Sequence, residues 1–119
     1  MALFEREHLT VSELTGQIKT LLEDAFPIVR VGGEVSNYYL SPAGHSYFTL
    51  KDDESQIRVV LFRGRDKSMR GKIEDGQFVI VSGQIAIYEK RGEYQIVASA
   101  VDVTGIGDLL LRFQKLKER

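Results

Sequence analysis

Apolar side chains recur along this chain at two periods, and the change from one to the other falls at Pro27. Before it, Leu14, Ile18, Leu21, Leu22 and Ala25 lie on one side of a 3.6-residue repeat, which predicts an amphipathic helix with one apolar face. Thr10 and Glu13 have capping-box spacing and mark its start. Gly16 weakens the helix slightly, and Pro27 stops it near Phe26. Beyond Pro27 the pattern becomes alternating, and it predicts five strands over residues 28–39, 45–51, 56–62, 78–88 and 94–103. Gly32-Gly33 in the first strand predicts a bulge or sharp bend, and Gly83 in the fourth a second bend. Residues 52–55 and Lys90-Arg91-Gly92 read as turns, and the charged stretch 63–71 reads as a loop or short helix. Gly105 and Gly107 end the sheet, and Asp108 then caps a second helical pattern carried by Leu109, Leu110, Phe113 and Leu116. That helix runs to Arg119 without a stop signal, which suggests a chain cut from something longer.

The hairpin over 33–53 holds most of the chemistry. Successive strand side chains point to opposite faces. Ser46, Phe48 and Leu50 therefore share one side of the second strand, with Phe48 and Leu50 fit for a core. His45, Tyr47, Thr49 and Lys51 share the other side. An imidazole and a phenol can stack on bases, and an ammonium can meet a phosphate.

Composition narrows the class. A chain of 119 residues with 43% hydrophobic content suffices for one domain with a core. With no Cys, disulfides and Cys-based zinc sites are excluded; this fits a reducing cytoplasm, the expected location. No apolar run approaches the ~18 residues of a membrane span, and the acidic start does not read as a signal peptide. Net charge is -1, so the whole-chain balance does not favour nucleic acid. The distribution does: Arg58, Arg63, Arg65, Lys67, Arg70 and Lys72 fall in one segment with Asp66 as the counter-charge. A local basic patch on a near-neutral domain can still bind phosphates.

Five strands with a non-strand segment between the third and fourth match the order of the OB-fold, a small, partly open Greek-key barrel. The expected fold is thus mainly β: a five-stranded OB-fold barrel with an N-terminal helix and a truncated C-terminal helix. Glycines inside two strands suit the strong bending a small barrel needs. An SH3-like barrel is the rival, and the charged segment after the third strand favours the OB order.

Five segments also carry a family resemblance: GEVSN (33–37), PAGHSYFTLKDD (42–53), VVLFRGR (59–65), DGQFVIVSGQIAIYEKRGEYQI (75–96) and GIGDLLLRFQKLKER (105–119). Together, in this order and spacing, they resemble the large subunit of bacterial exodeoxyribonuclease VII. The resemblance implies the N-terminal OB domain of a longer subunit. In that family a nuclease domain follows, then a long helical region that binds small subunits, and the enzyme degrades single-stranded DNA from both ends into oligonucleotides. The implied division is a helical extension over 1–26, the OB domain over 27–104 and the start of a helical connection over 105–119. The implied partners are single-stranded DNA, the nuclease domain of the same full-length chain and, through regions outside this one, small subunits.

OB-folds usually bind oligonucleotides on the face of strands two and three and the adjoining loops. Tyr47 and His45 are the first-choice stacking groups, against the plainer role of covering the barrel surface. Lys51, Arg58, Arg63 and Arg65 are the phosphate candidates, against an ordinary solvated charged loop. Asn37 can bond a base or phosphate, or its own backbone. Tyr88 joins the set less securely, with Tyr38 and Tyr39 in the same position, because a bulge would change which of them faces out. Arg91, with Lys90, tops the last hairpin, a second OB binding loop. If about four phosphates are neutralised, raising salt from 50 to 200 mM weakens binding about fifty- to sixty-fold.

Catalytic signals are poor. Asp52, Asp53 and Glu54 sit at a strand end and read as a turn rather than a metal site. Gly64 to Lys72 fails the phosphate-loop pattern in spacing, and Ile73 stands where Ser or Thr is needed. His8 and His45 alone, without Cys, leave little for a triad or zinc site. The expectation is a non-enzymatic domain with no cofactor. Two other readings stand beside single-stranded DNA binding: an OB module that packs on the nuclease domain or another subunit, and an anticodon-type RNA-binding domain.

Overall fold

The computed structural model describes residues 7–64 and 72–103. Helix α1 spans Val11–Ala25, and the strands are β1 Val29–Leu40, β2 Ser46–Lys51, β3 Gln56–Leu61, β4 Phe78–Tyr88 and β5 Glu93–Asp102. The strands close a barrel in the order β1-β2-β3-β5-β4, which is the OB arrangement. All neighbours are antiparallel except β3 and β5, which run parallel, with Arg58, Val59 and Val60 opposite Gln95, Ile96 and Val97. Strand β1 is long because it serves two neighbours: residues 29–34 pair with β4, and Glu34 onward pairs with β2.

Alternation places the core as the sequence indicates. In β2, Ser46, Phe48 and Leu50 are buried while Tyr47, Thr49 and Lys51 are half-buried on the outer side. Val35, Phe48, Leu50, Val59, Leu61, Val79, Val81, Ile96, Ala98 and Val101 fill the barrel. Ile73, from the connection between β3 and β4, joins this cluster. Part of that connection, residues 65–71, lies outside the described residues, as does the expected C-terminal helix over 108–119.

The two expected irregularities fare differently. At Gly32-Gly33 the register against β4 is unbroken, so no bulge lies there. A Cβ on Gly33 would come within 2.8 Å of Leu50 Cγ, so that glycine is a close-packing residue. The β1 bulge falls further on, between Ser36 and Tyr39, where Asn37 adopts φ 55°. At Gly83 the register does break: Ser82 faces Ala100 and Gly83 faces Ala98, leaving Ser99 as the extra residue on β5. The Ser99 hydroxyl donates to the Ser82 carbonyl at 3.2 Å across that step.

Helix α1 begins at the expected capping box: the Glu13 amide donates to Thr10 Oγ1 at 3.1 Å and the Thr10 amide to Glu13 Oε1 at 2.8 Å. It packs against β4, and Lys19 pairs with Glu89 at 3.1 Å. Its apolar face is formed but only partly covered: Leu14, Ile18 and Leu21 are exposed, Leu22 is half-buried, and the helix fully buries no residue.

Candidate nucleic-acid interface

Closing the barrel lines up outward side chains from different strands in rows. Thr49 of β2 stands opposite Arg58 of β3, Arg58 opposite Gln95 of β5, and Gln95 opposite Ala86 of β4. The next row runs Tyr39, Tyr47, Val60 and Val97. Val60 faces outward yet is only 3% exposed, so the outer face has an apolar floor. Aromatic and basic groups stand around it.

Two concavities adjoin on this face and share Tyr47 and Arg58. One, of about 440 Å³, is lined by Asn37, Tyr39, Tyr47, Thr49 and Arg58. The other, of about 400 Å³, is lined by Tyr47, Arg58, Val60, Phe62, Tyr88 and Arg91. The Tyr39 and Tyr47 rings lie 6.3 Å apart with 29° between their planes. The Arg91 guanidinium lies 5.9 Å from the centre of the Tyr88 ring, within cation–π range. Arg58 thus lies between two aromatic stations, surrounded by Thr49, Tyr47 and Gln95.

Of the residues singled out from sequence, Asn37, Tyr47, Arg58, Tyr88 and Arg91 come together here. Lys51 lies elsewhere, in a groove towards one end of β2 with Val31, Asp52, Gln56 and Tyr94. His45 sits at the β1–β2 turn. Its Nδ1 accepts the Arg63 amide at 2.9 Å, and its ring stands edge-on to Phe62 at 5.3 Å. Its own amide donates to Ser41 Oγ at 3.1 Å, so the imidazole ties the turn to the end of β3. Arg63 is exposed beside it, and Arg65 lies outside the described residues. The acidic stretch is a turn as expected: Asp52 Oδ1 accepts the Glu54 and Ser55 amides at 2.9 and 2.8 Å.

Phe62, Thr49 and Gln95 are site-lining residues outside the set chosen from sequence, and Tyr39, whose direction the sequence leaves to a bulge, lines the site with them. Tyr39 faces out only because of the bulge, which strand alternation does not reveal. Asn37 was the available signal, since Asn in mid-strand is among the residues that tolerate positive φ. Phe62, 42% exposed, follows the last residue of β3 and was read as strand. Among the described residues, no three of His, Cys, Asp and Glu gather as a metal-binding group, and no helix is long and apolar enough to cross a membrane.

A closed five-strand barrel with an aromatic and basic outer face defines a nucleic-acid-binding OB domain. The chain belongs to that family: the OB-fold nucleic acid binding domain family matches residues 9–102. Along its whole length the chain is similar to exodeoxyribonuclease 7 large subunits. It is 46% identical to that of Geotalea uraniireducens over 100% of this chain and 27% of the relative. It is 48% identical to that of Pseudomonas aeruginosa over 97% of this chain and 25% of the relative. The chain therefore spans about a quarter of the length of these curated relatives. Among solved structures, asparaginyl-tRNA synthetase from Pyrococcus horikoshii matches 65% of this chain and 19% of its own at a TM-score of 0.52. At 16% identity that likeness is one of fold.

Proposed function

We propose that this chain is the single-stranded-DNA-binding domain of an exodeoxyribonuclease VII large subunit. The observation that carries this is the pair of concavities sharing Tyr47 and Arg58 on the β2–β3 face, where OB-folds usually take oligonucleotides. Exposed tyrosines accept the face of any base, and arginines along the path meet the backbone, which together suit a sequence-tolerant single strand. Similarity to exodeoxyribonuclease 7 large subunits supplies the biological setting.

On this reading residues 27–104 form the binding module, residues 1–26 a helical extension and residues 105–119 the start of a connection to a nuclease domain. Hydrolysis of the phosphodiester backbone belongs to that domain. The OB module holds a strand and feeds it there, in the cytoplasm, within an assembly that includes small subunits.

A second reading is supported by α1, whose Leu14, Ile18 and Leu21 are exposed. Here the module serves chiefly to pack on another domain or subunit. Tyr47→Ala and Arg58→Ala separate the two, read by anisotropy of a labelled single strand and by assembly with the remaining subunit parts. Lost DNA binding with assembly intact supports the first reading; lost assembly with DNA binding intact supports the second. Competition between DNA and RNA oligonucleotides of one sequence tests the nucleic-acid preference.

A further inference from the structure

Strand β1 would present a different tyrosine if its register ran straight. Val35 points into the barrel, so strict alternation would send Asn37 and Tyr39 inward and Tyr38 outward. The extra residue at Asn37-Tyr38, set against Phe48 alone, inverts that order. Tyr38 turns inward, packs against the core and stands 6.4 Å from the Phe48 ring. Its phenol oxygen is 3.0 Å from Ser46 Oγ, the one buried polar side chain among the described residues. Tyr39 turns outward beside Tyr47, its direct cross-strand partner.

The inversion is held from outside the hairpin. Asp75 Oδ1 accepts the Tyr38 amide at 2.9 Å. The same turn grips β1 just upstream, because the Val35 amide donates to the Gln77 carbonyl and the Gly76 amide to the Val35 carbonyl, both at 2.8 Å. Asn37 takes φ 55°, a left-handed conformation that asparagine tolerates better than most residues. Asp75 is itself exposed and lies 37 residues from Tyr38 in sequence.

We propose that Tyr39 and Tyr47 together form a platform for one base of the bound strand, and that Asp75 and the left-handed Asn37 backbone are its positioning elements. This rests on the single-strand-binding function proposed above. The platform and Arg58 line one concavity, so a base against the two rings can place its phosphate on the guanidinium. Asp75 touches no nucleotide; it acts through the direction in which Tyr39 points.

The test uses the 119-residue chain and anisotropy of a labelled single-stranded oligonucleotide at low salt. Tyr39→Ala lowers affinity about 5- to 150-fold, the range for losing one base stack, with the salt slope unchanged. Tyr39→Phe keeps most of the affinity. Asp75→Ala weakens binding in the same way, and Asp75→Asn, which retains an acceptor oxygen, restores it. In a Tyr39→Ala background the Asp75→Ala effect vanishes, a coupling that general destabilisation would not produce. Asn37→Val, whose branched side chain resists positive φ, weakens binding more than Asn37→Gly, which keeps access to it.

If Tyr39→Ala binds as tightly as the parent while Arg58→Ala does not, the platform is overturned and the DNA-binding function stands. If the Asp75→Ala loss persists undiminished in the Tyr39→Ala background, Asp75 is not a positioning residue for Tyr39. If the parent chain, folded, binds no single strand, the function fails and the platform with it.

Discussion

At the residue scale, the candidate site turns on how few side chains change role once their neighbours are placed. Tyr47 and Arg58 take the outward positions the sequence suggests, because both lie on regular strand where alternation fixes direction. His45 is different. As an acceptor for the Arg63 amide and an edge-on partner of Phe62, it fastens the β1–β2 turn to the end of β3. His45→Ala is expected to cost about 1 kcal/mol of stability through that lost bond. It should also weaken single-strand binding less than Tyr47→Ala does. Thermal melts alongside anisotropy check both, and a larger affinity loss at His45 would return it to the stacking set. The motif around His45 was legible in the sequence, but the bond that occupies its ring was not, since Arg63 lies eighteen residues away.

At the element scale, regular strands were readable and their interruptions less so. The β4 bounds and the alternation of β2 follow directly from side-chain period. Gly83, which the sequence marks as a bend, lies where the β4–β5 register shifts, whereas Gly32-Gly33 marks tight packing and the β1 bulge sits at Asn37. Composition cannot separate these cases, because a bulge is a mismatch between two strands and a glycine only permits one. Gly83→Ala is expected to destabilise the barrel by about 1–3 kcal/mol or more, since a Cβ there would overlap the Val97 carbonyl. Helix α1 makes the contrasting case. Its apolar face is as regular as the sequence indicates, yet Leu21 is 70% exposed. Leu21→Ala should shift stability by about 0.5 kcal/mol or less, whereas Ile96→Ala, in the core, should cost about 2–5 kcal/mol. Denaturant midpoints for the two variants test this, and a large Leu21 effect would mean that α1 packs more tightly than its exposure indicates.

At the scale of the whole molecule, a net charge of -1 gives no general attraction to nucleic acid, so any affinity must come from one face. That face joins tyrosines to Arg58 and Arg91, a combination suited to unpaired bases more than to duplex. The chain is similar along its full length to exodeoxyribonuclease 7 large subunits, over about a quarter of their length, which is the setting of the DNA-holding role proposed above. The most direct measurement is anisotropy of a labelled single strand titrated with the chain, repeated from about 50 to about 200 mM salt, with duplex of the same sequence as control. The account predicts single-strand binding that exceeds duplex binding and weakens about fifty- to sixty-fold across that range, for about four neutralised phosphates. No single-strand binding at high micromolar protein with the barrel folded, or a clear preference for duplex, would contradict it.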